Sequence, residues 1–200
     1  MVATFNAADT IRRIALAAAA TTLAVSAVAL AGEPAKKPLT FGASPELARG
    51  QYLVGIMGCD DCHTPMKMGA RGPEPDMTRR LSGHPQDLRV PKPPAPDMAG
   101  WIYSGNATNT AFAGPWGISY APNLTSDATG IGSWTEANFV KALKEGKHLG
   151  VGRPIAPPMP WPAYRQATVD DLKAVYAYLK TVPPVKNTAP EYQPPQVARK

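Results

Sequence analysis

Cysteine is scarce: two in 200 residues, both inside one pentapeptide, CDDCH, at residues 59–63. That excludes a disulfide framework of the kind that staples small secreted domains. A bridge within the pentapeptide itself would close a tiny loop and stabilise little. No βαβ pattern accompanies the cysteines, as a thioredoxin-like dithiol requires. Lys and Arg outnumber Asp and Glu by 21 to 15, yet there is no dense basic block with interleaved aromatics. Nucleic acid is therefore excluded as a partner, and an acidic protein or an anionic membrane surface fits the moderate positive charge. There is no internal repeat and no second CxxCH. One globular domain is the expectation for the length.

What is present begins with an export layout. Arg12 and Arg13 precede an apolar run over residues 14–30, and Ala29 and Ala31 stand before Gly32. Residues 1–31 read as a signal peptide cut after about Ala31, delivering the chain to the periplasm. An uncleaved anchor is the alternative, since the run approaches the ~18 residues that span a bilayer. Cleavage leaves 19 basic against 14 acidic residues, a charge of +5. Residues 32–43 read as a linker.

Three helices follow from pattern. Ser44 as N-cap, Pro45 at the first position and Glu46 in the first turn open a helix with Ala48, Tyr52 and Ile56 on one face beside Leu53 and Met57, running into CDDCH. Ser133 and Glu136 stand in capping-box spacing before Phe139, Val140 and Leu143, with Gly146 as the stop. Thr168 and Asp171 open a third helix with the stripe Leu172, Val175, Tyr176, Leu179, ended by Pro183 and Pro184. Residues 64–113 lose helical periodicity and read as a long ordered loop, a Pro-rich insertion. Residues 184–200 read as a polar tail, draped or disordered.

The chemistry of CDDCH is decided by what each candidate needs. Zinc needs four ligands, and His84 and His148, the remaining histidines, lie far away. Covalent haem needs two thiols to add to the vinyl groups and an imidazole right after the second. On a helical turn positions 59, 62 and 63 leave from one face. One covalent haem c on Cys59 and Cys62, with His63 on the iron, is the reading.

At these residues the chain resembles a bacterial class I cytochrome c over about residues 44–183. "APNLTSDATGIGSWTEANFVKALKEGKH" and "PPMPWPAYRQATVDDLKAVYAYLKTVPPV" further resemble the cytochrome c subunits that serve membrane-bound dehydrogenases. The resemblance implies an all-α class I fold, three main helices around a covalent haem with long irregular loops. It implies an electron carrier, not an enzyme, working between a dehydrogenase or quinol-oxidising complex and a downstream terminal oxidase or reductase.

For the sixth iron ligand, Met66 and Met68 follow His63 too closely, and Met57 precedes Cys59. Met77 and Met98 lie in the insertion. Met159 is favoured because Pro157, Pro158, Pro160 and Pro162 fix its backbone, and because it precedes the last helix, where the resembled family places its methionine. His148 is the alternative. Trp116, Asn123 and Trp134 are candidates for packing on the haem or reaching a propionate, and Arg153 is a candidate propionate partner. Tyr120 joins the aromatic candidates. Lys141, Lys144, Lys147 and His148 could form a basic docking rim. Gly50 and Leu53 are expected to meet Tyr176 and Tyr178, and His84 is expected on the surface. The competing function is a haem enzyme or gas sensor with a displaceable sixth ligand.

Overall fold

A computed structural model of the chain describes residues 44–91 and 101–195. The expected signal peptide and linker, and Met98, lie outside the described residues.

Helix α1, Pro45–Ile56, starts where its cap dictates, with the Ser44 hydroxyl accepting from Leu47 N–H at 3.3 Å. Its buried face is the expected one only in part, at Gly50 and Leu53. Tyr52 and Ile56 are 56% and 62% exposed, and Gly50, Leu53 and Val54 are buried instead. The reason is a helix crossing. A methyl on Gly50 would lie 2.0 Å from the Ala174 carbonyl oxygen and 2.7 Å from Tyr178 Cβ, so only glycine lets the two backbones meet. The partner is α5, Val169–Leu179, whose capping box between Thr168 and Asp171 is complete and whose Leu172, Val175 and Leu179 are buried. Helix α3, Glu136–Glu145, is capped by Thr135, two residues later than the sequence pattern places it, and ends at Gly146 in the left-handed region (φ 68°). Leu53, Val54, Phe139, Leu143, Leu172, Val175 and Leu179 from these three helices form the core with Leu81, Ile131 and Val182.

The expected all-α class is overturned. Besides two short helices, α2 (Cys59–His63) and α4 (Trp161–Tyr164), the described residues hold two small antiparallel sheets. One pairs β1, Met66–Gly69, with β2, Gly72–Pro75. The other has the order β3 (Ser104–Gly105), β4 (Ala111–Gly114), β5 (Gly117–Tyr120). The expected loop at residues 64–113 thus contains short strands, at 66–69, 72–75, 104–105 and from 111. Pro73 and Pro75 are accommodated in β2 because a two-stranded ribbon is all edge, and a missing N–H can face outward. In the second sheet, Gly117 takes φ +97° after a two-residue turn, and a methyl there would meet the Gln193 carbonyl oxygen at 2.1 Å.

That contact belongs to the tail. Gln193 exchanges both backbone hydrogen bonds with Ile118, and the Tyr192 hydroxyl donates to the Trp116 carbonyl. Deeper in, Asn187 is fully buried. Its carboxamide oxygen accepts from Arg79 Nη2 (3.1 Å) and Gln86 N–H (2.9 Å), and its NH2 donates to the carbonyls of Ser82 (2.7 Å) and His84 (2.8 Å). One side chain thus bolts the tail to the segment after CDDCH. Asn187→Ala strands buried donors and acceptors at about 1–3 kcal/mol each. Urea unfolding should show a loss of about 3 kcal/mol or more, and a loss under about 1 kcal/mol would contradict the role given to Asn187.

Candidate functional site

Residues 59–63 form the short helix α2, so the CDDCH side chains do leave from one helical turn. His63 is buried, and its Nδ1 lies 2.8 Å from the Pro122 carbonyl oxygen. A carbonyl only accepts, so Nδ1 carries the proton and Nε2 keeps its lone pair. Burial holds the ring's pKa below its ordinary value of 6.5, which keeps that lone pair available.

Both cysteines are free thiols. Burial, with Asp60 adding to it, pushes the Cys59 thiol up to about 12, and burial raises Cys62 as well. Thiols held protonated do not suit a redox dithiol. His84 does not join them. His84 is fully buried, against the expectation of a surface position, because both its ring nitrogens are engaged. Nε2–H donates to Leu88 O at 3.1 Å, so Nδ1 accepts from the Thr110 hydroxyl at 2.9 Å. That fixes the rest of the chain: Thr108 donates to Thr110 (2.7 Å) and Asn106 to Thr108 (2.8 Å).

Cys62 and His63 open onto a cleft of about 950 Å³, mouth included. Its other walls come from distant segments. Leu124, Ile131, Phe139 and Leu143 make it apolar, and Met159, His148, Trp134 and Arg153 also line it. Among the methionines, Met159 lines the cleft with His63, while Met68 and Met77 are exposed and Met57 caps α1. The donor set fits a haem bound through CDDCH: the Cys62 thiol, one imidazole of fixed tautomer and one thioether line an apolar cleft, and the Cys59 thiol sits on the same short helix.

The remaining sequence candidates are distributed unevenly. Asn123 lines the cleft, but its amide is occupied by the chain, donating to Thr129 Oγ1, Val185 O and Asn187 O and accepting from Thr125 N–H. Tyr120 lines the cleft with its ring edge to His84 at 5.0 Å. Trp116 lies elsewhere, its ring against Gly114 and 5.8 Å from Tyr103. The basic rim is dispersed: Lys144 caps the carbonyls of Arg165 and Ala167, Lys141 faces Glu145, and His148 stacks edge-on to Trp134 at 5.2 Å.

Two supports had no motif to announce them. Arg80 forks onto Asp60, the second residue of CDDCH, at 3.0 and 2.7 Å, and its Nη1 donates to the Tyr178 hydroxyl at 2.9 Å. The Thr64 hydroxyl donates to the same Asp60 (2.7 Å) and accepts from Leu81 N–H (2.9 Å). The CDDCH turn is thereby fastened to α5 and to the segment that follows residue 63.

No family model matches the chain. The fructose dehydrogenase cytochrome subunit of Gluconobacter japonicus is 28% identical over 186 residues, 92% of this chain and 31% of that protein. The cytochrome c subunit of the quinone alcohol dehydrogenase of Gluconobacter oxydans is 29% identical over 180 residues, 88% of this chain and 29% of that protein. This chain is related to dehydrogenase cytochrome c subunits. A shorter match joins it to a nicotinate dehydrogenase component of Pseudomonas putida, 39% identical over 89 residues, 44% of this chain and 7% of that protein. The chain spans less than a third of the length of these relatives. No helix among the described residues is long and apolar enough to cross a membrane.

His84 makes the acid side of the stability profile testable. Burial chiefly, with Arg79 adding to it against the Leu88 carbonyl and Asp87, holds its folded pKa below 6.5. Below pH 6.5 the unfolded chain therefore binds a proton that the folded chain refuses, and stability falls as pH falls. His84→Gln should flatten the decline of unfolding free energy between pH 7 and 5, by at most about 1.4 kcal/mol per pH unit for one proton. An unchanged slope would contradict it.

Proposed function

We propose that the chain carries one covalent haem c on Cys59 and Cys62, with His63 and Met159 as axial ligands. In this role it passes single electrons from a dehydrogenase or quinol-oxidising complex to a downstream terminal oxidase or reductase. The observation that supports this best is the shared cleft: His63 and Met159, almost a hundred residues apart in sequence, line the same apolar space. Its relatives' names support the dehydrogenase side of the exchange. The N-terminal export layout supports the periplasm as its location, in a domain of residues 44–183 with a signal peptide at 1–31 and a polar tail at 184–200. Membrane association through an uncleaved signal belongs to the same reading.

When bound, the haem supplies a one-electron iron couple, and paired His and Met ligands favour a high potential. Everything else is the work of the chain. Pro122 fixes the His63 tautomer and ring plane. Gly83 N–H donates to the His63 carbonyl at 2.7 Å, holding the same residue from its backbone. Arg80 and Thr64 hold Asp60, and so the turn that carries both thiols. Leu124, Ile131, Phe139 and Leu143 keep water from the cleft. Arg153, at the cleft and over the Tyr192 ring at 5.3 Å, supplies positive charge for a propionate, and Trp134 offers a flat wall. An electron carrier needs this rigidity, with little rearrangement between oxidation states. A haem enzyme or gas sensor would need an open or exchangeable iron position.

Met159→Ala tests the sixth ligand. The ferric protein should lose its low-spin spectrum and sulfur-to-iron band, and its potential should fall by on the order of 100 mV, within the ~0.8 V that axial ligands span. An unchanged spectrum would move the ligand to His148 or Met98.

A further inference from the structure

The segment around Met159 is short of donors. Pro154, Pro157, Pro158, Pro160 and Pro162 have no N–H, so the segment has to be held mainly through its carbonyls. At one end Ile155 N–H donates to Gly146 O at 2.8 Å, and at the other Ala163 N–H donates to Pro160 O at 2.9 Å. Between these anchors, among the described residues, one hydrogen bond reaches residues 156–159. The Ser119 hydroxyl donates to the Pro157 carbonyl at 2.6 Å.

Ser119 is well placed to act as a post. It is 9% exposed and lines the cleft that Met159 lines. It sits on β5, which is hydrogen-bonded to β4 and whose Ile118 pairs with Gln193 of the tail. A hydroxyl has one proton, and the Phe112 carbonyl, at 3.4 Å, competes poorly for it. Downstream, the Tyr164 hydroxyl donates to the Met57 carbonyl, just ahead of Cys59. Burial pushes that phenol up to about 12, so it stays a donor. The two hydroxyls fasten the methionine segment at both sides, Tyr164 to the thiol turn and Ser119 to the sheet.

We propose that Ser119 is a positioning residue for Met159. By holding the Pro157 carbonyl, it sets how readily an outside ligand displaces the thioether from the iron. The inference rests on the reading of His63 and Met159 as axial ligands. Ser119 does not itself reach the iron. It acts through Pro157, two residues from the sulfur-bearing side chain.

The test uses the full-length haem-loaded protein in its ferric form, titrated with imidazole while the sulfur-to-iron band is followed. Ser119→Ala should raise the apparent imidazole affinity about ten- to a hundredfold, the equivalent of one lost buried hydrogen bond of ~1–3 kcal/mol. Ser119→Thr, which keeps the hydroxyl, should stay within about threefold of the parent. Ser126→Ala is the control, because it deletes a similar hydroxyl bond, to Val182 O at 2.7 Å, away from the cleft; it should also stay within about threefold. If the alanine variant does not fold, Ser119→Val against Ser119→Thr gives the same comparison at matched volume. Unchanged imidazole affinity in the variants lacking the hydroxyl, or an equal change in Ser126→Ala, overturns the proposal and leaves the ligand reading intact. A parent protein with no sulfur-to-iron band overturns both.

Discussion

The hydrogen bond from His63 Nδ1–H to the Pro122 carbonyl, 2.8 Å long, decides which nitrogen of a buried imidazole is free, and much of the molecule serves to keep Pro122 in place. Its neighbour Ala121 donates to Thr110 O and accepts from His84 N–H, and Leu124 N–H donates to Leu81 O. These bonds run between the segment after CDDCH, the second sheet and the loop before α3. Asn187 closes the arrangement from the tail, and the amide of Asn123 reaches the same tail through Val185 and Asn187. The tail is a structural strap over its described length.

Two kinds of physics divide the labour. The helices supply burial, with each fully buried Leu or Val contributing about 1.5–3 kcal/mol, and the glycine at position 50 lets α1 and α5 approach until their side chains interlock. The loops and sheets supply direction. Their buried, hydrogen-bonded side chains include Thr64, His84, Thr110, Ser119, Asn123, Thr125 and Asn187, on the segments that frame the cleft. Such networks are costly when incomplete and rigid when satisfied. Rigidity is what a site needs if its ligands are to stay fixed while only an electron moves.

The legible parts of the chain are those governed by local rules. Caps, prolines and apolar spacing place α1, α3 and α5, and the spacing of Cys59, Cys62 and His63 announces one face of a helical turn. What is not legible depends on distant partners. The strands at residues 66–75 and 104–120 are hidden by prolines and glycines that read as loop, yet suit short strands and tight turns. The buried face of α1 is legible only in part: Gly50 and Leu53 announce the crossing with the last helix, whereas Tyr52 and Ile56 look like core residues and lie exposed. His84 looks like a surface residue because nothing in its neighbourhood announces Thr110 and Leu88 as partners. Asp60, Arg80 and Ser119 carry no signal, since their contacts join segments 20 to 98 residues apart.

The central claim is that the CDDCH turn holds one haem through both cysteines. Expression of the full chain with haem-attachment machinery, followed by intact mass and pyridine haemochrome spectroscopy of the denatured protein, tests it most directly. One haem per chain that survives denaturation, with the spectrum of a haem whose vinyl groups are both saturated, is the result predicted. A chain that releases its haem on denaturation, or never acquires one, would contradict the account.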